Sequence, residues 1–255
     1  MSRCVVDLEE DGAGFPNGVF VHWDEIEEIA DSKTKCYQVT DEGPAEIQLF
    51  SETTGLMRTL YPTRGAPTTL VSGVLMHRIK DVDPMQDTKN KLSAIAPVAG
   101  EVLDTTTGLG YTALLASKSA EHVTTVEIDP AAHEIIRANP WSEELFESPK
   151  VTAVIGDIVE IIDSLPANKF SRIIHDPPTI SLAGDLYSEA FYAKLLRVLK
   201  LKGMLFHYIG DPESAHGRKI TPGVIRRLYA AGFGRVERAP KAFGVVGYKL
   251  PRSRR

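Results

Sequence analysis

The chain has 255 residues, 43% of them hydrophobic and 25% charged, with a net charge of −5 at neutral pH. That is enough chain and enough apolar content for one large core, or for a core domain beside a smaller one. No apolar run approaches the ~20 residues of a membrane span, which excludes a membrane-spanning helix from the reading. The N-terminus "MSRCVVDLEEDG" is acidic and does not read as a secretory signal.

Residues 1–82 read as short strands separated by turn formers. The strands are "CVVDL", "GVFVHW", "CYQVT", "AEIQLF", "LMRTLYP" and "TTLVSGVLMHRI"; Asp11-Gly12, Pro16-Asn17-Gly18 and Glu42-Gly43-Pro44 are the expected turns. "DEIEEIADSK" is the one expected helix. This predicts a small, mostly antiparallel β domain. From about Asp83 the rhythm changes. "MQDTKNKLSAIAPV" reads as a helix, and strands then alternate with helices through "EVLDT", "HVTTVEID", "VTAVIGD", "FSRIIHD" and "GMLFHYIG". Continuous apolar strands point to a parallel sheet covered on both faces. "RVERAP" and "AFGVVGYKL" have no room for a crossover helix between them and should pair antiparallel. "TPGVIRRLYAAGF" before them is an expected helix.

The strand ends carry the chemistry. The first strand after residue 83 ends in Asp104-Thr105-Thr106-Thr107-Gly108-Leu109-Gly110, followed at once by a helix starting at Tyr111. Glycines there allow a tight turn and close approach to a ligand beside free helix N–H groups. The second ends in Glu127-Ile128, the third in Gly156-Asp157-Ile158, and the fourth in Asp176-Pro177-Pro178-Thr179. In an open α/β sheet these tips share one edge, where ligands bind. Singly, Asp104 and Asp157 read equally well as helix caps and Glu127 as a solvated acid. The register of all four points to a nucleoside site. Asp-Pro-Pro forms a rigid corner, whose Asp176 carboxylate and Pro177 carbonyl can orient an amino group.

On these residues the chain, over roughly 85–250, resembles the class I S-adenosylmethionine (SAM) dependent methyltransferases. The resemblance implies a seven-stranded, mostly parallel Rossmann-like α/β sheet over 83–255. It also implies a SAM site formed by Asp104, Thr106, Thr107, Gly108, Gly110, Tyr111, Glu127, Ile128, Gly156, Asp157, Ile158 and Asp176. Asp176, Pro177 and Pro178 would be the catalytic residues. Thr106 stands where that family usually has glycine, and its hydroxyl would reach the methionine end of SAM. Thr179 stands where amino-methyltransferases carry a stacking aromatic, so stacking would fall to Tyr187, Tyr208, Phe191, Tyr192 or His207.

The run "DTTTGLGYTA" and the segment from Pro67 to Leu92 resemble an archaeal methyltransferase group that includes enzymes acting on cytidine N4 in ribosomal RNA. This implies methylation of an exocyclic amino group of an RNA base. His77, Arg78, Asp87, Thr88 and Lys89 would close over the cofactor and substrate. No metal site is expected. A second resemblance is to the spermidine synthases, on "DLYSEAFYAKLLRVLKLKGML" and the leading β domain. It implies aminopropyl transfer from decarboxylated SAM to a polyamine, but those enzymes carry an acid where this chain has Ile173. A third reading is a noncatalytic RNA-binding factor. From His216 to Arg255, eleven Lys and Arg face one acid, Glu237, which suits an RNA partner. A homodimer is a further possibility. Two cysteines, Cys4 and Cys36, suit a reducing cytoplasm.

Overall fold

The computed structural model describes residues 5–251, apart from the side chain of His216. In chain order the first part runs β1 (Asp7–Leu8), β2 (Gly12–Gly14), β3 (Phe20–His22), α1 (Trp23–Asp31), β4 (Tyr37–Thr40), β5 (Gly43–Glu46), β6 (Gln48–Phe50), β7 (Met57–Tyr61), β8 (Thr68–Val71) and β9 (Val74–Leu75). The second runs α2 (Pro84–Ser93), β10 (Glu101–Asp104), α3 (Tyr111–Ser117), β11 (His122–Glu127), α4 (Pro130–Arg137), β12 (Val151–Ile155), α5 (Ile158–Ser164), β13 (Phe170–His175), α6 (Glu189–Val198), β14 (Leu199–Tyr208), α7 (Ala215–Ala230), β15 (Arg235–Ala239) and β16 (Gly244–Tyr248). The chain divides into two compact units: Met1–Pro84 with Asp129–Glu143, and Met85–Ile128 with Glu144–Arg255.

The first unit holds three small antiparallel sheets, β1-β2-β3, β4-β5 and β6-β7-β8-β9. Two expected turns became strand. Gly12 pairs with His22, and Gly43-Pro44 pairs with Val39-Thr40. Gly12 has room for no side chain, since a Cβ would lie 2.2 Å from the Val21 carbonyl oxygen. The β8–β9 turn is Ser72-Gly73, both with positive φ, as a tight hairpin requires. Helix α4 belongs to this unit. Asp129 caps it through the Ala131 N–H at 3.0 Å, with Pro130 opening the first turn. Asp129 also accepts from Ser51, Thr54 and Arg58, which ties α4 to the β6–β7 hairpin.

The second unit is built on one mixed seven-stranded sheet in the order β12-β11-β10-β13-β14-β16-β15. The pairings from β12 to β14 are parallel, and those of β16 with β14 and β15 are antiparallel. The β15–β16 connection is too short for a crossover, which accounts for the reversal. Leu103, Val126, Ile173, Leu205 and Val245 from five strands meet Phe170, Phe191, Tyr192 and Leu195 in its core. Each such side chain, fully buried, contributes about 1.5–3 kcal/mol. Helix α7 begins earlier than the expected start near Thr221. Ser214 caps it by accepting from the Gly217 N–H at 2.9 Å, and Pro222 falls inside it. A proline near a helix start reads as its first turn. Here the Thr221 hydroxyl donates to the Gly217 carbonyl at 2.7 Å, one residue before the missing N–H.

Among the described residues no helix is long and apolar enough to cross a membrane. Cys36 is a free thiol, and Cys4 lies outside the described residues.

Candidate active site

Because β12, β11, β10 and β13 are neighbours running the same way, their C-terminal ends form one edge. Asp104, Glu127, Asp157 and Asp176 therefore stand along one rim of the sheet. Asp104 is fully buried. Its Oδ2 accepts from Thr112 at 2.8 Å and Thr125 at 3.1 Å, while its Oδ1 has no hydrogen-bond partner among the described residues. Burial pushes its carboxyl up to about 7, against the pull of the two threonine hydroxyls. The loop that follows turns at Gly108 and Gly110, with φ of 57° and 77°. At Gly110 a Cβ would come within 2.6 Å of Leu145 Cδ2, whereas at Gly108 it would meet open space. Glu127 Oε2 accepts the Gly108 N–H at 3.2 Å, which joins the second strand tip to the first loop. Asp157 caps α5 through the Val159 N–H at 2.8 Å.

The Asp-Pro-Pro corner is held from several directions. The Thr106 hydroxyl donates to the Asp176 carbonyl at 2.8 Å, so it serves the corner itself. Asp176 Oδ2 accepts from Lys91 Nζ at 2.6 Å, and Lys91 also pairs with Asp87 at 2.9 Å, one helical turn away on α2. The Lys91 ammonium lies 4.7 Å from the centre of the Tyr208 ring, a cation–π contact. Lys91 is only 2% exposed. Burial alone would lower its pKa, but Asp176 and Asp87 overcome this and hold it raised. Burial raises the Asp176 carboxyl, opposed by Lys91.

Behind the corner lies a packed group of rings. His175 Nδ1 meets the Thr105 hydroxyl at 2.7 Å and its Nε2 meets the Leu186 carbonyl at 2.9 Å. A carbonyl only accepts, so Nε2 carries the proton and Nδ1 accepts from threonine. Burial pushes His175 down to about 4, which keeps it neutral near pH 7. His207 Nε2 bonds the Tyr192 hydroxyl at 2.8 Å, and the two histidine rings are 4.5 Å apart. Tyr187 donates to the Pro178 carbonyl at 3.0 Å. These rings support the corner from beneath.

Comparison with known proteins places this geometry. A protein of Methanocaldococcus jannaschii called "Uncharacterized protein MJ1233" is 40% identical over 249 residues, covering 97% of this chain and 84% of that one. The chain belongs to the family of that protein. The spermine/spermidine synthase domain matches residues 102–217. A polyamine aminopropyltransferase of Mycobacterium tuberculosis is 31% identical over 113 residues, which is 42% of this chain and 22% of that enzyme. In three dimensions, spermidine synthase from Thermotoga maritima superposes with a TM-score of 0.63 at 16% identity, over 88% of this chain and 83% of that one. The chain thus carries a spermidine synthase-like domain on a Rossmann-like fold.

The reading as an RNA cytidine N4-methyltransferase is corrected by these findings. The domain match and the aminopropyltransferase relatives point to the spermidine synthase side of the fold. The resemblance to amino-methyltransferases rested on the Asp-Pro-Pro corner, the run "DTTTGLGYTA" and the segment from Pro67 to Leu92. Other site residues fall as follows. Thr107 is buried against Thr125 at 2.8 Å, and Tyr111 and Ile158 are buried. Ile128 is exposed. Thr88 is buried on α2. Pro177 is buried, and Thr179 is exposed with its hydroxyl on Ser181. Tyr187, Phe191, Tyr192 and His207 are buried and offer no open stacking face; Tyr208 is half-buried under Lys91. His77 and Arg78 belong to the first unit, where His77 bonds Thr68. Lys89 is exposed, and the buried lysine of that helix is Lys91. Sequence reasoning missed Lys91, although its spacing four residues after Asp87 is a signal that could have found it.

Part of the basic count of the C-terminal segment already has partners within the chain. Arg227 donates to the Tyr187 carbonyl, Arg235 pairs with Glu237, and Lys249 donates to the Leu196 and Leu199 carbonyls. Arg252, Arg254 and Arg255 lie outside the described residues.

Proposed function

We propose that this chain is an aminopropyltransferase that moves the aminopropyl group of decarboxylated SAM onto an acceptor amine. The observation that carries the reading is the spermine/spermidine synthase domain match over residues 102–217, which contains all four strand-tip acids. The residues at that edge suit a sulfonium nucleoside. Gly108 leaves open space where a side chain would intrude, Glu127 sits beside its N–H, and Asp104 keeps one buried oxygen without a partner among the described residues. In this reading Glu127 takes the ribose hydroxyls. Gly156, Asp157 and Ile158 flank the base. Asp104, Thr107, Gly110, Tyr111 and Thr88 shape the side of the site nearest the sulfur.

The donor supplies a carbon already activated by positive sulfur, so the protein has two tasks: to orient the amine and to take its proton. Attack by the nitrogen lone pair forms the C–N bond as the C–S bond breaks, and the C–S electron pair neutralises sulfur. The proton shed by the amine passes to the Asp176 carboxylate. Burial raises Asp176 toward such a role, and Lys91 fixes the oxygen it bonds. Thr106 and Tyr187 hold the corner rigid through the Asp176 and Pro178 carbonyls.

The test is turnover. Purified protein given decarboxylated SAM and simple primary amines is expected to release methylthioadenosine. Asp176→Asn is expected to lower kcat by about 10²–10⁴-fold while nucleoside binding, followed by calorimetry, changes little. No methylthioadenosine with any amine would sink this reading.

A further inference from the structure

We propose that His175 is a positioning residue for the acceptor corner, acting by donating from its Nε2 to the loop that carries Tyr187. The inference rests on the transferase reading above and names a residue that holds its acceptor side in place. Two pairs of consecutive residues grip the corner from opposite sides. On one side, the Thr105 hydroxyl lies 2.7 Å from His175 Nδ1, and the Thr106 hydroxyl donates to the Asp176 carbonyl at 2.8 Å. On the other, the Leu186 carbonyl lies 2.9 Å from His175 Nε2, and Tyr187 donates to the Pro178 carbonyl at 3.0 Å. One imidazole thus joins the loop after β10 to the 3-10 turn Gly184–Tyr187, with the corner between them. Residues 178–185 are exposed or half-buried, so the path of this loop depends on its anchors. Besides His175, the Leu186-Tyr187 end is tied by Arg227, which donates to the Tyr187 carbonyl at 2.8 Å. The Leu186 carbonyl only accepts, so that link exists while Nε2 carries the proton. The Thr105 hydroxyl has one proton and could also reach the Ile174 carbonyl, at 3.3 Å; the nearer Nδ1 takes it. His207, 4.5 Å away ring to ring, does not share the task, since its Nε2 is bonded to Tyr192. Packing against Phe191 and His207 asks only for a ring at this position. The two bonds ask for an imidazole.

The experiment compares His175→Phe with His175→Gln in the full chain. Phe keeps a ring of similar size and removes both bonds. Gln gives up the ring but returns an amide N–H near the place of Nε2. If the side chain only fills space, Phe is the better substitute; if its bond positions the corner, Gln is. Turnover is followed as methylthioadenosine release from decarboxylated SAM and a primary amine, and methylthioadenosine binding by calorimetry. Hydrogen exchange reads the loop without any need for activity. His175→Phe is expected to lower kcat by about 10–10²-fold while methylthioadenosine affinity stays nearly unchanged. Amides of residues 182–188 are expected to exchange about tenfold faster in it, the equivalent of one lost hydrogen bond. His175→Gln is expected to recover most of kcat and of the protection. Should His175→Phe fail to fold, Thr105→Val keeps the volume, removes the other end of the clamp and is expected to lower kcat about tenfold. Wild-type exchange in His175→Phe overturns the inference, as does a His175→Gln protein no better than His175→Phe, or wild-type kcat in Thr105→Val. The expected exchange pattern with no methylthioadenosine from the wild type sinks the aminopropyl reading and leaves the clamp standing. Turnover by the wild type with kcat unchanged in His175→Phe does the reverse.

Discussion

Asp104 is a fully buried carboxylate and Asp176 a half-buried one at the neighbouring strand tip, and the protein solvates them differently. Asp176 has a lysine; Asp104 has no cation in its place, and its Oδ2 accepts from the Thr112 and Thr125 hydroxyls. Burying a carboxylate without a cation favours its protonated form, and Asp104 is accordingly pushed up to about 7 from an ordinary 3.8. The folded state thus binds the proton more tightly than the unfolded chain. Its contribution to stability is complete below the unfolded value and is lost as pH rises through about 7. Asp104→Asn keeps an oxygen for Thr112 and Thr125 and cannot ionise. Urea denaturation at pH 5 and pH 8 is expected to show the wild type losing more stability across that interval than the variant, by on the order of 1–3 kcal/mol. Equal losses would show that Asp104 is ionised at both pH values. Asp104 was legible in the sequence as a strand-tip acid; its state was not, because that depends on Thr112 and Thr125 arriving from other elements. Lys91 was legible only as a possible partner of Asp87 one helical turn away; its bond to Asp176 was not. A lysine in the polar run "QDTKNKL" reads as solvated, and only the fold brings Asp176 to it across 85 positions.

At the scale of elements, the loop from β10 to α3 uses its two glycines for different ends. Gly110 has positive φ and faces Leu145, which is fully buried, so an added Cβ presses on a side chain with nowhere to go. Gly108 has positive φ but faces open space. Gly110→Ala is expected to cost about 2–4 kcal/mol, from left-handed strain and overpacking together. Gly108→Ala is expected to cost only about 1 kcal/mol but to weaken nucleoside binding at least tenfold, because its methyl enters the space assigned to the ligand. Chemical denaturation and calorimetry on the two variants separate the effects, and a Gly108→Ala protein that binds the nucleoside normally would remove Gly108 from the site. The spacing Gly108-x-Gly110 marked the turn in the sequence, since only a chain reversal at a strand end calls for two glycines there. Which glycine serves packing is set by Leu145, a residue 35 positions on.

Across the whole molecule, the alternation of apolar strands with helices after residue 83 was the most legible feature. Apolar runs such as Val102-Leu103 and Ile173-Ile174 have no polar alternation, so both their faces must be covered, and parallel strands with intervening helices do that. Common direction then places four acids on one edge without any further instruction. Segment 129–143 was not legible in this way. "PAAHEIIRAN" has the apolar spacing of any helix that covers a sheet, and its pattern does not say which one; the deciding contacts are polar and distant. Asp129 accepts from Ser51 at 2.7 Å and from Thr54 and Arg58, all at least 71 positions away, while it caps α4. Burial would raise its pKa, but these donors hold it below the ordinary value. The stability they supply is therefore present above that value and lost as pH falls. Asp129→Ala removes the cap and the carboxylate opposite Arg58 together, at an expected cost of about 2–4 kcal/mol. Hydrogen exchange should locate that loss. Amides of α4, β6 and β7 are expected to exchange faster, while those of β10, β11 and β13 keep their protection, since their ladder contains no Asp129 contact. Uniform acceleration across β10–β16 would instead mean that the two units unfold as one cooperative body.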